Sequence, residues 1–335
     1  MIASRPFVML VAAFSAQMLG LSASAADQAE MFDGFMPFIR PLWLGSNVGA
    51  RYEPDADTDD GPATFRRSDV HAYLRVQPYN SATDELTVGG TVAETRIGGG
   101  AALPDTGPIP DHLYRVEGAL GYRHIDGAQR VYGLNLAIGS ASNEPFANAG
   151  VLSVSATASA RLAAGGDNAW LLFLNYANDR QVLNNVPLPG FGYLWKPDAT
   201  VIAMVGLPFA FVSWHPVPWF NTDLAVSGLG SAHVLASLKP IASAPWLRVH
   251  AGYDWRTETF KRADRPDRSD QLFFREMTAI AGLAIEPGPW FSSDLYGGWA
   301  FARQVFEDRS IAGHHDDLLR IDPGPQVGLE LKSRF

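Results

Sequence analysis

Residues 313–320, GHHDDLLR, set His314, His315, Asp316 and Asp317 side by side. Imidazole and carboxylate are good ligands for zinc and related ions. Adjacent residues rarely converge on one ion, however, so a solvated loop is expected and no metal site is assigned. Residues 53–61, EPDADTDDG, offer Asp55, Asp57, Asp59 and Asp60 to calcium. Their spacing departs from the EF-hand loop and the closing glutamate is missing, so an acidic external loop is expected. Residues 90–100, GTVAETRIGGG, are glycine-rich. No helix follows and no lysine sits in a phosphate-binding position, which excludes a nucleotide loop. Ester hydrolysis would need a serine held against a histidine base. There is no G-x-S-x-G, and none of the eight histidines stands in a recognisable pairing with serine. No catalytic residue and no cofactor are assigned.

The suggestive set is a group of charges recurring on one side of alternating segments. Arg75, Arg115, Arg123, Arg161, Arg248, Arg256 and Arg275 are joined by Glu94, Glu117, Asp223, Asp254 and Asp294. Two readings stay open. They line a pore whose charges select solutes, or they form an interior ion-pair network that stiffens a narrow barrel. The opposite charges occur in similar numbers, so no sign preference for a solute follows.

The elements that would carry these charges are strands. In LRVHAGYDWR, Leu247, Val249, Ala251, Tyr253 and Trp255 alternate with Arg248, His250, Gly252, Asp254 and Arg256. The segments 70–77, 114–123 and 152–162 alternate likewise. Period two repeated over eight to twelve residues is the signature of a transmembrane barrel. Short connections rich in Gly, Pro, Asn and Asp fall at 79–84, 126–129, 164–168, 196–199, 215–218, 240–245 and 286–289. Longer polar ones fall at 53–65, 97–111, 141–149, 179–190, 257–269 and 305–320. The two kinds alternate along most of the chain, as short turns and long loops do at the two ends of a barrel. The expectation is an all-β, antiparallel up-and-down barrel over 37–335 with 12 to 16 strands, 14 as the central figure. The uncertain stretch is 191–239, where VGLPFAFV reads as two strands with a tip at Leu207–Pro208 or as one bent strand.

Tryptophan placement agrees with a bilayer. Trp170, Trp195, Trp214, Trp219, Trp246 and Trp290 each lie beside a short turn. Indoles favour the headgroup level, so these six are expected to form a girdle at one interface. Outer-membrane lipid is the expected partner.

The ends of the chain fit export. Arg5 is the only charge before Asp27, and an apolar run from Phe7 to Leu21 precedes Ala23 and Ala25 in A-x-A spacing. This is a secretory signal peptide over 1–25, followed by a periplasmic lead-in over 26–36. The formal net charge of −9 and the absence of a basic stripe argue against nucleic acid. There is no cysteine, so disulfides contribute nothing. No later run of 18 apolar residues exists, which excludes a transmembrane helix.

The C-terminal QVGLELKSRF places Val327, Leu329 and Leu331 at alternate positions before a final Phe335. This resembles the signal that bacterial outer-membrane barrels present to their assembly machinery, with Ser333 departing from it. VPLPGFGYLWKPD followed by GLPFAFVSWHP resembles the L-P-G-x-G-Y and G-L-P blocks of the family called domain of unknown function 6268. The resemblance is strongest over 180–230. It implies a bacterial outer-membrane barrel and carries over no catalytic residue. The reading is therefore a porin-like barrel of the Gram-negative outer membrane, a non-enzymatic channel or transporter for small solutes. The alternatives are a lipid-acting hydrolase and a filled structural or surface barrel.

Overall fold

Alternating apolar and polar residues can satisfy every backbone group only by pairing edge to edge until the sheet closes. The computed structural model describes residues 44–334, apart from 60, 229, 266, 313, 314 and 316. The segments 1–25 and 26–36, together with Asp60, His314, Asp316 and Phe335, lie outside the described residues.

In chain order the strands are β1 (Leu44–Thr58), β2 (Gly61–Asn80), β3 (Asp84–Gly98), β4 (Ala102–Leu103), β5 (Gly107–Pro108), β6 (His112–Ile125) and β7 (Val131–Ser142). They continue with β8 (Leu152–Ala163), β9 (Ala169–Ala177), β10 (Leu188–Trp195), β11 (Val201–Leu207), β12 (Phe209–Val217) and β13 (Phe220–Ser227). The last are β14 (Ser231–Leu238), β15 (Leu247–Phe260), β16 (Gln271–Gly288), β17 (Phe291–Asp308), β18 (Leu318–Ile321) and β19 (Gly324–Arg334). β4 and β5 form a small hairpin inside one loop. β18 and β19 are two halves of the final stave, both pairing with β1 and β17. Every other strand pairs antiparallel with its sequence neighbours, and β1 pairs with both β2 and β19. The result is a closed antiparallel barrel of sixteen staves. Among the described residues no helix is long and apolar enough to cross a membrane.

The strand number differs from the central figure of 14. All seven short connections are where the sequence put them. The two added strands come from two tight connections at the opposite end, Pro208 between β11 and β12 and residues 228–230 between β13 and β14. Neither is long or polar enough to read as a loop. Three longer segments are also shorter loops than expected. β1 and β2 run to Thr58 and from Gly61, β15 runs to Phe260, and β17 runs to Asp308.

Alternation fixes two faces. Val70, Leu74, Val88, Val92, Leu134, Ile138, Leu174, Val205, Leu295 and Val327 are all two-fifths or more exposed, on the outward face. So much exposed apolar surface needs a non-aqueous surrounding. Arg51, Arg67, Arg75, Arg123, Glu85, Thr157 and His250 on the other face are buried. The interior is not empty. At the loop end Phe65, Leu103, Leu113, Phe260, Leu272, Phe274, Val305 and Leu319 form a core inside the ring. A second cluster, Phe273, Phe306 and Ile311 with Val182, packs on the other side of the same β15–β16 extension. That extension therefore leans across the mouth rather than standing in the wall. Lys261 N donates to Ala141 O at 2.7 Å, joining the end of β15 to β7, which lies diametrically across the ring. Lys261 Nζ reaches Leu152 O at 3.0 Å, and Arg265 Nη2 reaches Gly150 O at 2.8 Å.

Candidate functional site

The ring is wide and its inward face carries most of the buried polar groups, so the candidate site is the lumen. Register places Arg75 on β2, Arg115, Glu117 and Arg123 on β6, and Arg161 on β8 with side chains inward. It does the same for Asp223 on β13, Arg248, Asp254 and Arg256 on β15, and Asp294 on β17. Glu94 and Arg275 differ. Glu94 shares the outward face with Val88 and Val92, and Arg275 shares that of Phe273 and Met277. Both sit near the loop end, where a charge can clear the apolar band.

These groups are not one ring, and the arrangement divides the lumen. In the loop-side half of one wall Arg51, Arg67, Arg256 and Arg303 interlock with Glu53, Asp69, Glu258 and Glu276. Arg67 donates to Glu258 at 2.6 Å, Arg303 to Glu53 at 2.6 Å and Arg256 Nε to Glu276 at 2.6 Å, while Arg51 also binds Asp69 and Glu276. β2 and β15 are five strands apart along the wall, about 24 Å at the usual strand spacing. A direct contact across that span requires the β15–β16 segment to lean inward, as the core above it does. Equal numbers of opposite charge make this lattice neutral, the condition for burying ions so deeply. Arginines also lie on the rings of the core: Arg67 over Phe274 at 5.2 Å and Arg303 over Phe65 at 5.5 Å. Of the sequence-derived set only Arg256 belongs to this lattice. Glu53 and Glu258 were missed because they fall in segments read as loops, and Arg51, Arg67, Asp69, Glu276 and Arg303 because they lie outside the alternating segments from which most of the set was drawn.

Nearer the short-turn end the inward groups pair along the wall. Arg123 holds both oxygens of Glu85 at 2.7 Å, with Arg75 3.9 Å away. Arg248 meets Glu286 at 2.8 Å and Ser237 at 3.2 Å. His233 stands 3.4 Å from Asp254, and His250 2.7 Å from Asp294. Arg115, at the loop end of β6, differs: it donates across the lumen to Thr259 O of β15 at 3.1 Å.

A serine–histidine–aspartate group lies on β12 and β13. Ser213 Oγ is 2.6 Å from Asp223 Oδ1 and 2.8 Å from His215 Nε2, and Asn221 donates to Asp223 at 2.9 Å. Sequence reading passed over Ser213-x-His215, although spacing of two on a strand puts both on one face. The serine sits between its partners. Its single proton goes to the carboxylate, the stronger acceptor, so His215 Nε2 must donate to Oγ. A hydroxyl whose proton is held by aspartate, with no free base beside it, is not an activated nucleophile.

The wall of β9 to β12 is different in kind. Its inward residues Leu171, Leu194, Met204 and Phe209 are buried, under half-buried Phe173, Ile202 and Phe211. The rings of Phe173 and Phe209, centroids 5.5 Å apart, lie along the wall. They can do so because β10 offers glycine inward: a Cβ on Gly190 would overlap the Phe173 ring, and one on Gly192 would press on Phe209. The outward residues Leu172, Phe191, Trp195, Val205 and Leu207 are exposed and apolar as well. This wall is apolar on both faces, which explains why its period-two signal was weak.

The six tryptophans all sit at the short-turn end, outward and about half exposed. Trp170 meets Tyr193 edge-on at 4.8 Å. Val327, Leu329 and Leu331 are outward and exposed on β19. The two described members of the histidine–aspartate run do not meet: His315 bonds Asp308 at 2.8 Å, while Asp317 accepts from Thr106 at 2.6 Å. Among the described residues no group of three or more such side chains could hold a metal. Of the calcium candidates, Asp55 and Asp57 lie on β1 and Asp59 follows it; Asp55 accepts from Thr64 and Asp59 from Arg320.

No family model matches the chain, and no curated protein matches it in sequence. Among solved structures it is similar to an outer membrane channel from Pseudomonas putida F1, at 8% identity over 89% of this chain and 97% of that one, TM-score 0.36. It is similar to a mutant of the TodX monoaromatic hydrocarbon channel, at 8% identity over 89% and 91%, TM-score 0.48. It is also similar to the translocator domain of the autotransporter NalP from Neisseria meningitidis, at 10% identity over 92% and 93%, TM-score 0.33. The barrel itself rests on the strand pairing of this chain.

Proposed function

We propose that the protein is a non-enzymatic outer-membrane barrel that passes small solutes, with its loop-side mouth partly closed by the β15–β16 extension. The observation that carries this reading is the unequal filling of the lumen. The lattice and the core bind β1–β3 to β15–β17 across the interior. On the other side Ser213, Asn221, Asp223, His233 and Ser237 bond within their own strand or to the next one. A solute path would run down that side. The six tryptophans would seat the short-turn end at the lipid interface, and β19 would present the assembly signal. The blocks that resemble domain of unknown function 6268 build the β10–β12 wall, which gives that resemblance a structural role.

Planar-bilayer recording of the purified full-length chain tests the reading. Discrete conductance steps are expected. The absence of current over a wide voltage range would instead support the second reading, a filled structural barrel, which the cross-lumen lattice favours.

A further inference from the structure

Arg161 is the buried arginine whose partners do not account for it. Among the buried arginines of the described wall, Arg51, Arg67, Arg75, Arg123 and Arg303 each have a carboxylate within 4 Å. Arg115 has a carbonyl at 3.1 Å and the face of Phe260 at 5.4 Å. Arg161 is only 8% exposed, yet its one bond is a long one, 3.4 Å from Nη1 to Gln129 O. Its Nε is buried with no partner. Asp167, in the adjacent turn, is occupied by Lys196 Nζ at 2.7 Å. A guanidinium carries five N–H donors in a fork that fits a carboxylate, and leaving it dry and unpaired is costly.

What lies beside it matters as much. Arg161 is the register partner of Leu171, and Ser159 is the partner of Phe173. The open donors of β8 therefore border the apolar strip of β9–β12, where Phe173, Ile202 and Phe211 keep part of their surface open to the lumen. An apolar surface kept in a polar bore is unfavourable unless something covers it.

We infer that Arg161 and the edge of the strip beside it form a subsite for small organic monoanions, the carboxylate on Arg161 and the apolar body on Phe173. This rests on the channel reading for its biological sense but not for its test. Each half alone is weak: a bare anion leaves the strip wet, and a neutral ring leaves Arg161 unpaired.

The test uses the full chain in detergent, with benzoate carrying both features, acetate the charge alone and benzamide the ring alone. Calorimetry on the wild type should give benzoate at least about tenfold tighter binding than either of the others, the value of one charge-assisted bond or one covered ring. R161Q should bind benzoate no better than benzamide, R161K should recover part of the difference, and F173S should bind benzoate no better than acetate. Heat-modified gel mobility verifies that each variant is folded. Equal binding of benzoate and acetate by the wild type, or undiminished benzoate binding by folded R161Q, would overturn the inference. The two readings separate in bilayers. Benzoate binding without current removes the channel and keeps the subsite, whereas current without benzoate preference removes the subsite and keeps the channel.

Discussion

The barrel has two unlike walls. β1, β2, β3, β16 and β17 run 15, 20, 15, 18 and 18 residues, whereas β9 to β14 run 9, 8, 7, 9, 8 and 8. At roughly 3.3 Å per residue the short strands, once tilted, are about long enough for a hydrocarbon layer and no more. The long ones stand well above it. Their extra length carries the ion lattice and the apolar core, which join strands remote from one another. The short wall holds itself by neighbour pairing and a thin apolar skin. The comparison teaches that the contacts crossing the lumen are concentrated on one side of the ring.

The largest expected effect breaks the long wall. Glu276 holds both Arg51 and Arg256, so E276Q leaves a buried positive surplus and should lower stability by about 3–5 kcal/mol in urea unfolding from lipid vesicles. R161Q on the other side removes an unpaired buried charge and should stay within about 0.5 kcal/mol of the wild type. Equal losses would show that the two sides share the load. A smaller effect sharpens the account of the short wall. G190V puts a branched side chain where the Phe173 ring lies and should cost about 1–3 kcal/mol while leaving the lattice intact. If G190V matches the wild type, the ring does not rest on that glycine.

The smallest effect concerns the loop that caps the long wall. The Asp267 carboxyl accepts from the Ser269 backbone N–H at 2.8 Å and its hydroxyl at 2.7 Å, with Arg309 beside it. These donors hold its pKa down at about 2. Because the folded value is depressed, its contribution is complete above the ordinary aspartate range and fades as pH falls through about 2. The Ser269 amide should therefore exchange with solvent more slowly than its intrinsic rate at pH about 4 and lose that protection near pH about 2, with D267N unprotected at both. Equal protection of the wild type at the two values would exclude this aspartate as a clasp.

Much of the architecture could be read from residue order because one face meets an apolar medium and the other does not. Val70, Leu74 and Val88 outside, with Arg75 and Arg123 inside, follow from period two alone, and every short turn was marked by its Gly, Pro, Asn or Asp. The signal failed where physical contrast fails. Along β10 to β12 both faces are apolar, so VGLPFAFV could not show its tip at Pro208. Glu53 and Glu258 look like solvated loop residues, and nothing local reveals that Arg67 and Glu258 meet from five strands apart. The subsite was half legible. Arg161 was placed inward by alternation, but its want of a partner and the greasy wall beside it exist only in three dimensions.

Arg51 sits on β1, the strand that seals the ring by pairing with β2 on one edge and β19 on the other. Its carboxylate neighbours come from β1 itself, β2, β15 and β16. Until the last stave zips against the first, β15 and β16 cannot be brought to bear on it, and only Glu53 and Asp69 face the guanidinium. Completion of the cylinder and arrival of Glu258 and Glu276 at this buried arginine are thus a single event. An intermediate with the seam still open lacks those two contacts, so the cluster is complete only in the finished ring.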